Sequence, residues 1–170
     1  MIPLSNSIDI VIEEDRWADH GLSRVATAAV SRVLDHAGLV DGFEVVVMGC
    51  DDARIADLNA EFRDKPSATN VLSWPAQDLA PVAEGDAPSS PSVDPMGETE
   101  LGDIALALET CLGEADVAGI PFEQHLTHLV VHGTLHLLGY DHISDTDAAR
   151  MEGLEIEILA HMGFPDPYDR

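Results

Sequence analysis

Three histidines within one short stretch, His132-Gly133-Thr134-Leu135-His136-Leu137-Leu138-Gly139-Tyr140-Asp141-His142, have the type and spacing to hold a metal ion. On a helix, His132 and His136 stand at i and i+4, so both imidazoles leave the same face one turn apart. Two neutral rings can then converge on one cation, with Zn–N near ~2.0–2.1 Å. Another turn of straight helix, at ~1.5 Å per residue, would carry a third ligand ~12 Å from the first, too far for one ion. The chain must bend back, and Gly139 stands where it would, since glycine enters the left-handed conformation at a helix end without steric cost. That turn swings His142 towards the first two. Three protein ligands leave a fourth tetrahedral position for water, the arrangement of a catalytic rather than a structural zinc site. One Zn2+ per chain is therefore expected at His132, His136 and His142.

The spacing resembles the elongated zincin pattern H-E-x-x-H-x-x-G-x-x-H, with Gly133 in place of its glutamate. In those peptidases the glutamate takes a proton from the zinc-bound water and delivers it to the leaving amine. Glycine can do neither, and an unprotonated amine leaves poorly. Phosphodiester cleavage in RNA depends less on that residue: the ribose supplies its own 2′-hydroxyl nucleophile, and a metal stabilises charge on phosphate oxygens. The substitution weakens a peptidase reading more than a nuclease reading.

The elements that must position these residues can be read from periodicity. Ser7–Ile12 is β-branched and partly alternating, a first strand. From about Trp17 to Ala37 apolar residues recur at helical spacing, with Gly38 as a stop. Residues 43–48 read as a second strand buried on both faces. Asp51 or Asp52 caps a helix running to about Phe62, and Thr69–Trp74 is a short strand ended by Pro75. Residues 78–100, with Pro81, Pro88, Pro91 and Pro95 among Ser, Gly, Asp and Glu, read as a flexible surface insert. A fourth strand follows at Leu101–Leu106. Helices are then expected at about 109–118, from Pro121 to near Gly139, and at about 146–162, the last with Met151, Leu154, Ile158 and Leu159 inward. Strands followed mainly by helices predict one α+β domain over residues 1–170, a mixed four-stranded sheet with helices packed on it.

Bulk composition sets limits. The 170 residues suit one core, and 45% apolar residues can fold without disulfides. Cys50 and Cys111 show no paired spacing and read as two buried, reduced thiols. The first eight residues have neither a basic n-region nor an apolar h-region, and no apolar run reaches the ~18–20 residues that cross a bilayer. A soluble, cytoplasmic protein with no membrane partner is expected. Thirty-two acids against eight bases give a net charge of −24, with one lysine in the chain. A nucleic-acid binder usually carries a basic face, so an RNA substrate would have to be held by a few local cations and the metal.

Three stretches in register carry a family resemblance. His128-Leu129-Val130-Val131-His132 through His142 closely resembles the YbeY family, and so do two others. Leu58-Asn59-Ala60-Glu61-Phe62-Arg63 followed by Thr69-Asn70-Val71-Leu72-Ser73-Trp74-Pro75 is similar to its Asn/Arg segment and T-[DN]-V-L-S-[FW]-P strand. Leu101-Gly102-Asp103-Ile104 is similar to its L-G-D-I strand. The resemblance spans residues 58–142, with flanking elements fitting from about 7 to 164. It implies a zincin-like fold, the three histidines as zinc ligands, and a single-strand-specific endoribonuclease that matures the 3′ end of 16S ribosomal RNA and serves ribosome quality control. Ribosomal RNA would be the partner, with ribosomal proteins or ribosome-associated factors assisting. The 78–100 insert is longer, and Lys65-Pro66-Ser67-Ala68 less basic, than the family pattern suggests.

Further residues follow from that reading. His136 and Arg63 are the expected catalytic residues, and Arg63, Lys65, Ser73 and His128 the expected substrate contacts. Arg63 matches the family arginine that contacts phosphate; a guanidinium fork suits that task, although pairing with Glu61 or Asp64 is an alternative. Ser73 rests on the resemblance alone. His128, one turn before His132, reads either as a partner to a ligand or substrate or as a packing residue. Asp141 could orient a ligand ring or serve the turn, and Asp103 could do either at its strand. His20, His36, His125 and His161 read as solvated. Two other readings stay open: a zinc peptidase or amidase with another general base, and a non-catalytic ribosome-assembly factor in which zinc only fixes the fold.

Overall fold

The alternation of β-branched residues with helical apolar stripes produces ten elements in the computed structural model. It describes residues 6–63, 68–81, 83, 86–93 and 99–169, with the side chain of Arg63 outside that set. In chain order these are β1 (Ser7–Ile12), α1 (Arg16–Asp19), α2 (Leu22–His36), β2 (Phe43–Cys50), α3 (Asp52–Arg63), β3 (Val71–Pro75), β4 (Thr99–Ala107), α4 (Leu108–Ala118), α5 (Phe122–Leu137) and α6 (Asp145–His161). The sheet order is β1-β2-β4-β3. β1, β2 and β4 are mutually parallel, while β3 runs antiparallel to β4 with Ser73 opposite Ile104. The expected mixed four-stranded sheet with helices packed on it is present.

Period-two alternation divides the side chains between two layers. Val45, Val47, Ile104 and Leu106 join α2, α5 and α6 in the larger core. Met48, Cys50, Leu72 and Ala105 face the other way, against Ile55 and Leu58 of α3. β2 is not equally buried on its two faces as expected, because α3 covers the second face only in part: Phe43, Val45 and Val47 are buried, while Glu44, Val46 and Met48 are half-exposed. α2 buries Leu22, Val25, Ala26, Ala29, Val30, Val33 and Leu34, at roughly 1.5–3 kcal/mol for each large aliphatic side chain.

The predicted helix from Trp17 to Ala37 is two helices, broken at Gly21, whose φ is 68°. The break lets Trp17 turn down onto the sheet. It is fully buried, its indole Nε1 donates to the Cys50 carbonyl at 2.8 Å, and it fills the space a Cβ at Gly49 would need. At α3 the choice between the two caps falls to Asp51, whose Oδ1 accepts from Arg54 N at 2.8 Å.

The 78–100 stretch is shorter as an insert than expected, since Thr99 and Glu100 belong to β4. Its described residues before Thr99 form no helix or strand. They are held nonetheless: Leu79 is buried, its carbonyl accepts from Ser89 N, and the Gln77 amide exchanges two hydrogen bonds with the Ser92 backbone. No helix among the described residues is long and apolar enough to cross a membrane. Cys50 and Cys111 are free and buried.

Candidate metal centre

α5 is covered almost all round. Between Leu126 and Leu138 every residue is buried except His128, His132 and His136, which form one half-buried strip at i+4 spacing. The buried hydroxyls of Thr127 and Thr134 are satisfied by the carbonyls one turn back, at 2.7 Å each. Gly133 lies about a quarter-turn round the helix from the strip, against the sheet. A Cβ there would lie 3.2 Å from Ser73 Oγ and 3.3 Å from Ile104 Cγ2. Ser73 is buried, its hydroxyl donating to the Gly133 carbonyl at 3.3 Å, so β3 and α5 meet at this glycine.

The bend that the third histidine needs is a Schellman turn. Gly139, at φ 98°, donates to the His136 carbonyl, and Tyr140 N donates to the Leu135 carbonyl, both at 3.1 Å. α6 begins five residues later with Ser144 as its cap, the Ser144 hydroxyl accepting from Asp147 N at 3.1 Å. His142 is thus held in a short span between two capped helix ends. Asp141 Oδ1 accepts from Ile143 N at 3.2 Å, so of its two readings the structure shows the one that serves the turn.

The donor atoms of His132, His136 and His142 lie within 4.8 Å of one another. The tautomers follow from their outer partners. His136 Nδ1 faces the Tyr140 carbonyl at 2.9 Å, which can only accept, and His132 Nδ1 faces a Glu155 carboxylate oxygen at 3.3 Å. With a proton on each Nδ1, the two Nε2 atoms present lone pairs to each other across 3.0 Å. Two acceptors at that distance repel unless a cation lies between them. Burial, then the neighbouring His132, pushes His136 down to about 4, against a weaker upward pull from its bond to Tyr140. It stays neutral, the form that ligates. Three imidazoles, two of them with outer partners, fit a borderline-soft divalent cation such as zinc.

These rings floor a cavity of about 930 Å³ whose wall includes Asn59, Asn70, Ser73, Gln77 and Leu79. Asn70 is pinned by Glu114, its Nδ2 donating to Glu114 Oε1 at 3.0 Å. His125, expected to be solvated, packs instead against that same carboxylate at 2.9 Å with its side chain 12% exposed.

A family model described as Endoribonuclease YbeY matches residues 8–163. The chain belongs to the endoribonuclease YbeY family. Among proteins named Endoribonuclease YbeY, that of Ruegeria sp. (strain TM1040) is 57% identical over 95% of this chain and 95% of its own length. That of Paracoccus denitrificans is 55% identical over 95% and 89%. The solution structure of TM1509 from Thermotoga maritima superposes with a TM-score of 0.53 over 96% of this chain and 99% of that one, a likeness of fold at 22% identity.

Against this YbeY-family frame, the remaining site residues fall into groups. Ser73 lines the cavity. Arg63 ends α3, and Asn59, one turn earlier on that helix, is in the cavity wall. Lys65 lies outside the described residues. Asp103 is exposed on β4, opposite Trp74 and Val46, away from the cavity. His128 does not line the cavity; its Nε2 lies 2.6 Å from Glu155. Glu155 and Tyr168 were not among the expected residues. Glu155 had a signal in the sequence, as the one acid on the buried stripe Met151, Glu155, Ile158, Leu159 of α6. Tyr168 had none.

Proposed function

We propose that this chain is a cytoplasmic, zinc-dependent, single-strand-specific endoribonuclease that acts on ribosomal RNA, in 3′-end maturation of 16S rRNA and ribosome quality control. The observation that carries this reading is the convergence of three imidazole donors on one point at the floor of an open cavity. The relatives from Ruegeria sp. and Paracoccus denitrificans are named endoribonucleases. When bound, zinc would supply a Lewis acid and a water of lowered pKa facing that cavity.

The chain's own residues set the rest. His132, His136 and His142 would hold the ion, and the bond from His136 Nδ1 to the Tyr140 carbonyl keeps that ring turned towards it. No base projects from position 133, a glycine whose Cβ would stand only 3.2 Å from Ser73 Oγ and 3.3 Å from Ile104 Cγ2. That favours RNA, whose 2′-hydroxyl is an internal nucleophile, over a peptide that needs a proton delivered to its amine. Arg63, one turn after Asn59 on α3, would clamp the scissile phosphate and stabilise its added charge. Lys65 and the Ser73 hydroxyl would contact the strand beside it. With a net charge of −24, a ribosomal protein or ribosome-associated factor would supply the positive field that brings RNA to the site.

Metal analysis and cleavage of single-stranded RNA test this together. One zinc per chain is expected, and His132→Ala should lose metal and cleavage at once. Arg63→Ala should keep the metal and slow cleavage by ~10²–10³, the scale of losing one charge-stabilising donor. A metal-free His132 variant that still cuts RNA would end this reading.

A further inference from the structure

Behind the histidine strip lies a carboxylate that the reaction described above does not touch. Glu155 is 0% exposed, on a stripe of α6 otherwise occupied by Met151, Ile158 and Leu159. A charge so placed must be fully hydrogen-bonded to persist. Three groups meet it. His128 Nε2 reaches Oε1 at 2.6 Å, the Tyr168 hydroxyl donates to the same oxygen at 2.8 Å, and His132 Nδ1 faces Oε2 at 3.3 Å. A carboxylate set among one hydroxyl and two ring nitrogens is their shared acceptor, with Tyr168 already donating to Oε1.

We propose that Glu155 is a positioning residue for the metal centre. It fixes His132 as the Nδ1–H tautomer and keeps its Nε2 turned to His136 and His142, while His128 and Tyr168 fix the carboxylate in turn. The inference rests on the metal reading given under Proposed function. His128 then serves the site from behind, and Tyr168 ties the last described residues of the chain to the same oxygen. A carboxylate placed this way raises the basicity of the ligating nitrogen as well as orienting the ring, and loss of such a partner typically weakens metal binding by ~10–100-fold.

The test is Glu155→Gln, which keeps the shape and removes the charge. Zinc affinity of purified full-length protein is measured by competition with a chromophoric chelator, and the His132 ring nitrogens are followed by 15N NMR in the zinc-free state. Zinc binding ~10–100-fold weaker, with wild-type His132 protonated at Nδ1, is expected. Affinity equal to wild type would overturn the inference while leaving the metal site in place. Wild type that takes up no zinc would overturn both readings. Should Glu155→Gln fail to fold, the wild-type spectrum decides: a proton on Nε2 of His132 refutes the assignment, and a proton on Nδ1 supports it.

Discussion

The turn at Gly139 can be tested apart from the chemistry it serves. Replacing it by alanine brings two costs. A non-glycine residue in the left-handed region, here at φ 98°, costs roughly 1–2 kcal/mol. The new Cβ would also stand 2.6 Å from the Leu79 carbonyl oxygen and 2.9 Å from Leu79 Cβ. Relieving that contact means moving backbone, and overpacking of this kind costs about 1–3 kcal/mol. The sum is roughly 2–5 kcal/mol, a large part of the ~5–15 kcal/mol that holds a typical domain folded.

The molecule supplies its own control. Gly163 closes α6 with the same Schellman pattern, Gly163 N to the Ala160 carbonyl and Phe164 N to the Leu159 carbonyl, at φ 88°. A Cβ there meets nothing within 4 Å. Gly163→Ala therefore bears only the backbone cost. In urea unfolding of zinc-free protein, with m near ~2 kcal/mol per M, Gly139→Ala should lower the midpoint by about 1–2.5 M and Gly163→Ala by about 0.5–1 M. Zinc affinity should fall in the first variant alone, because His142 follows Gly139 by three residues. Equal midpoints for the two variants would refute the idea that Leu79 is packed on this turn.

Four other outcomes are expected. Glu155 sits at about 2 when folded and near ~4.3 when unfolded, so the unfolded chain binds more protons between those values. Its contribution is complete above about pH 4.3 and is lost as pH falls towards about 2, and Glu155→Gln should flatten that limb of the melting-temperature profile. Burial pushes Cys50 up to about 12 and Cys111 higher still; both should resist a thiol reagent at pH 8 and react once urea unfolds the chain. Among the described residues the cavity wall has Asp78 and Asp141 but no lysine or arginine. With Arg63 and Lys65 as the cations invoked, log RNA affinity against log salt should slope at about −1.4, from ~0.7 per phosphate contact on single strands, and a slope beyond −4 would contradict this. Gly133→Glu should destabilise the fold and yield no peptidase, as read by urea midpoint and a peptide cleavage assay; a folded variant that cuts peptides would overturn the packing account below.

What the sequence shows well is whatever a single element decides for itself. The stripe of α2, the strip of His132 and His136 on α5 and the turn at Gly139 all follow from local spacing, and each stands where that spacing puts it. What it hides are features decided by contact between distant elements. The break at Gly21 exists because Trp17 fits over Gly49, and no periodicity within residues 17–37 records that. Leu79 is buried because Gly139 leaves its carbonyl room, so a stretch rich in proline and acid reads as loose when part of it is packed. Glu155 is the reverse case: its place on the apolar stripe of α6 was legible, but an acid there reads as an interruption until three donors are seen around it.

Gly133 joins the two kinds of information. Read along the chain, it is a zincin pattern that has lost its base. Read across the fold, it is the point where α5 rests on β3 and β4, with Ser73 Oγ and Ile104 Cγ2 already within 3.3 Å of where a Cβ would be. The close approach that excludes a side chain there also brings Ser73 into the wall of the cavity that His132 and His136 floor. Restoring the glutamate would make Ser73 or Ile104 give by a few tenths of an ångström at the seam beside the two imidazoles. The missing base and the close seat of α5 on Ser73 thus meet at one residue, and the chemistry proposed for this site relies on a substrate that brings its own nucleophile.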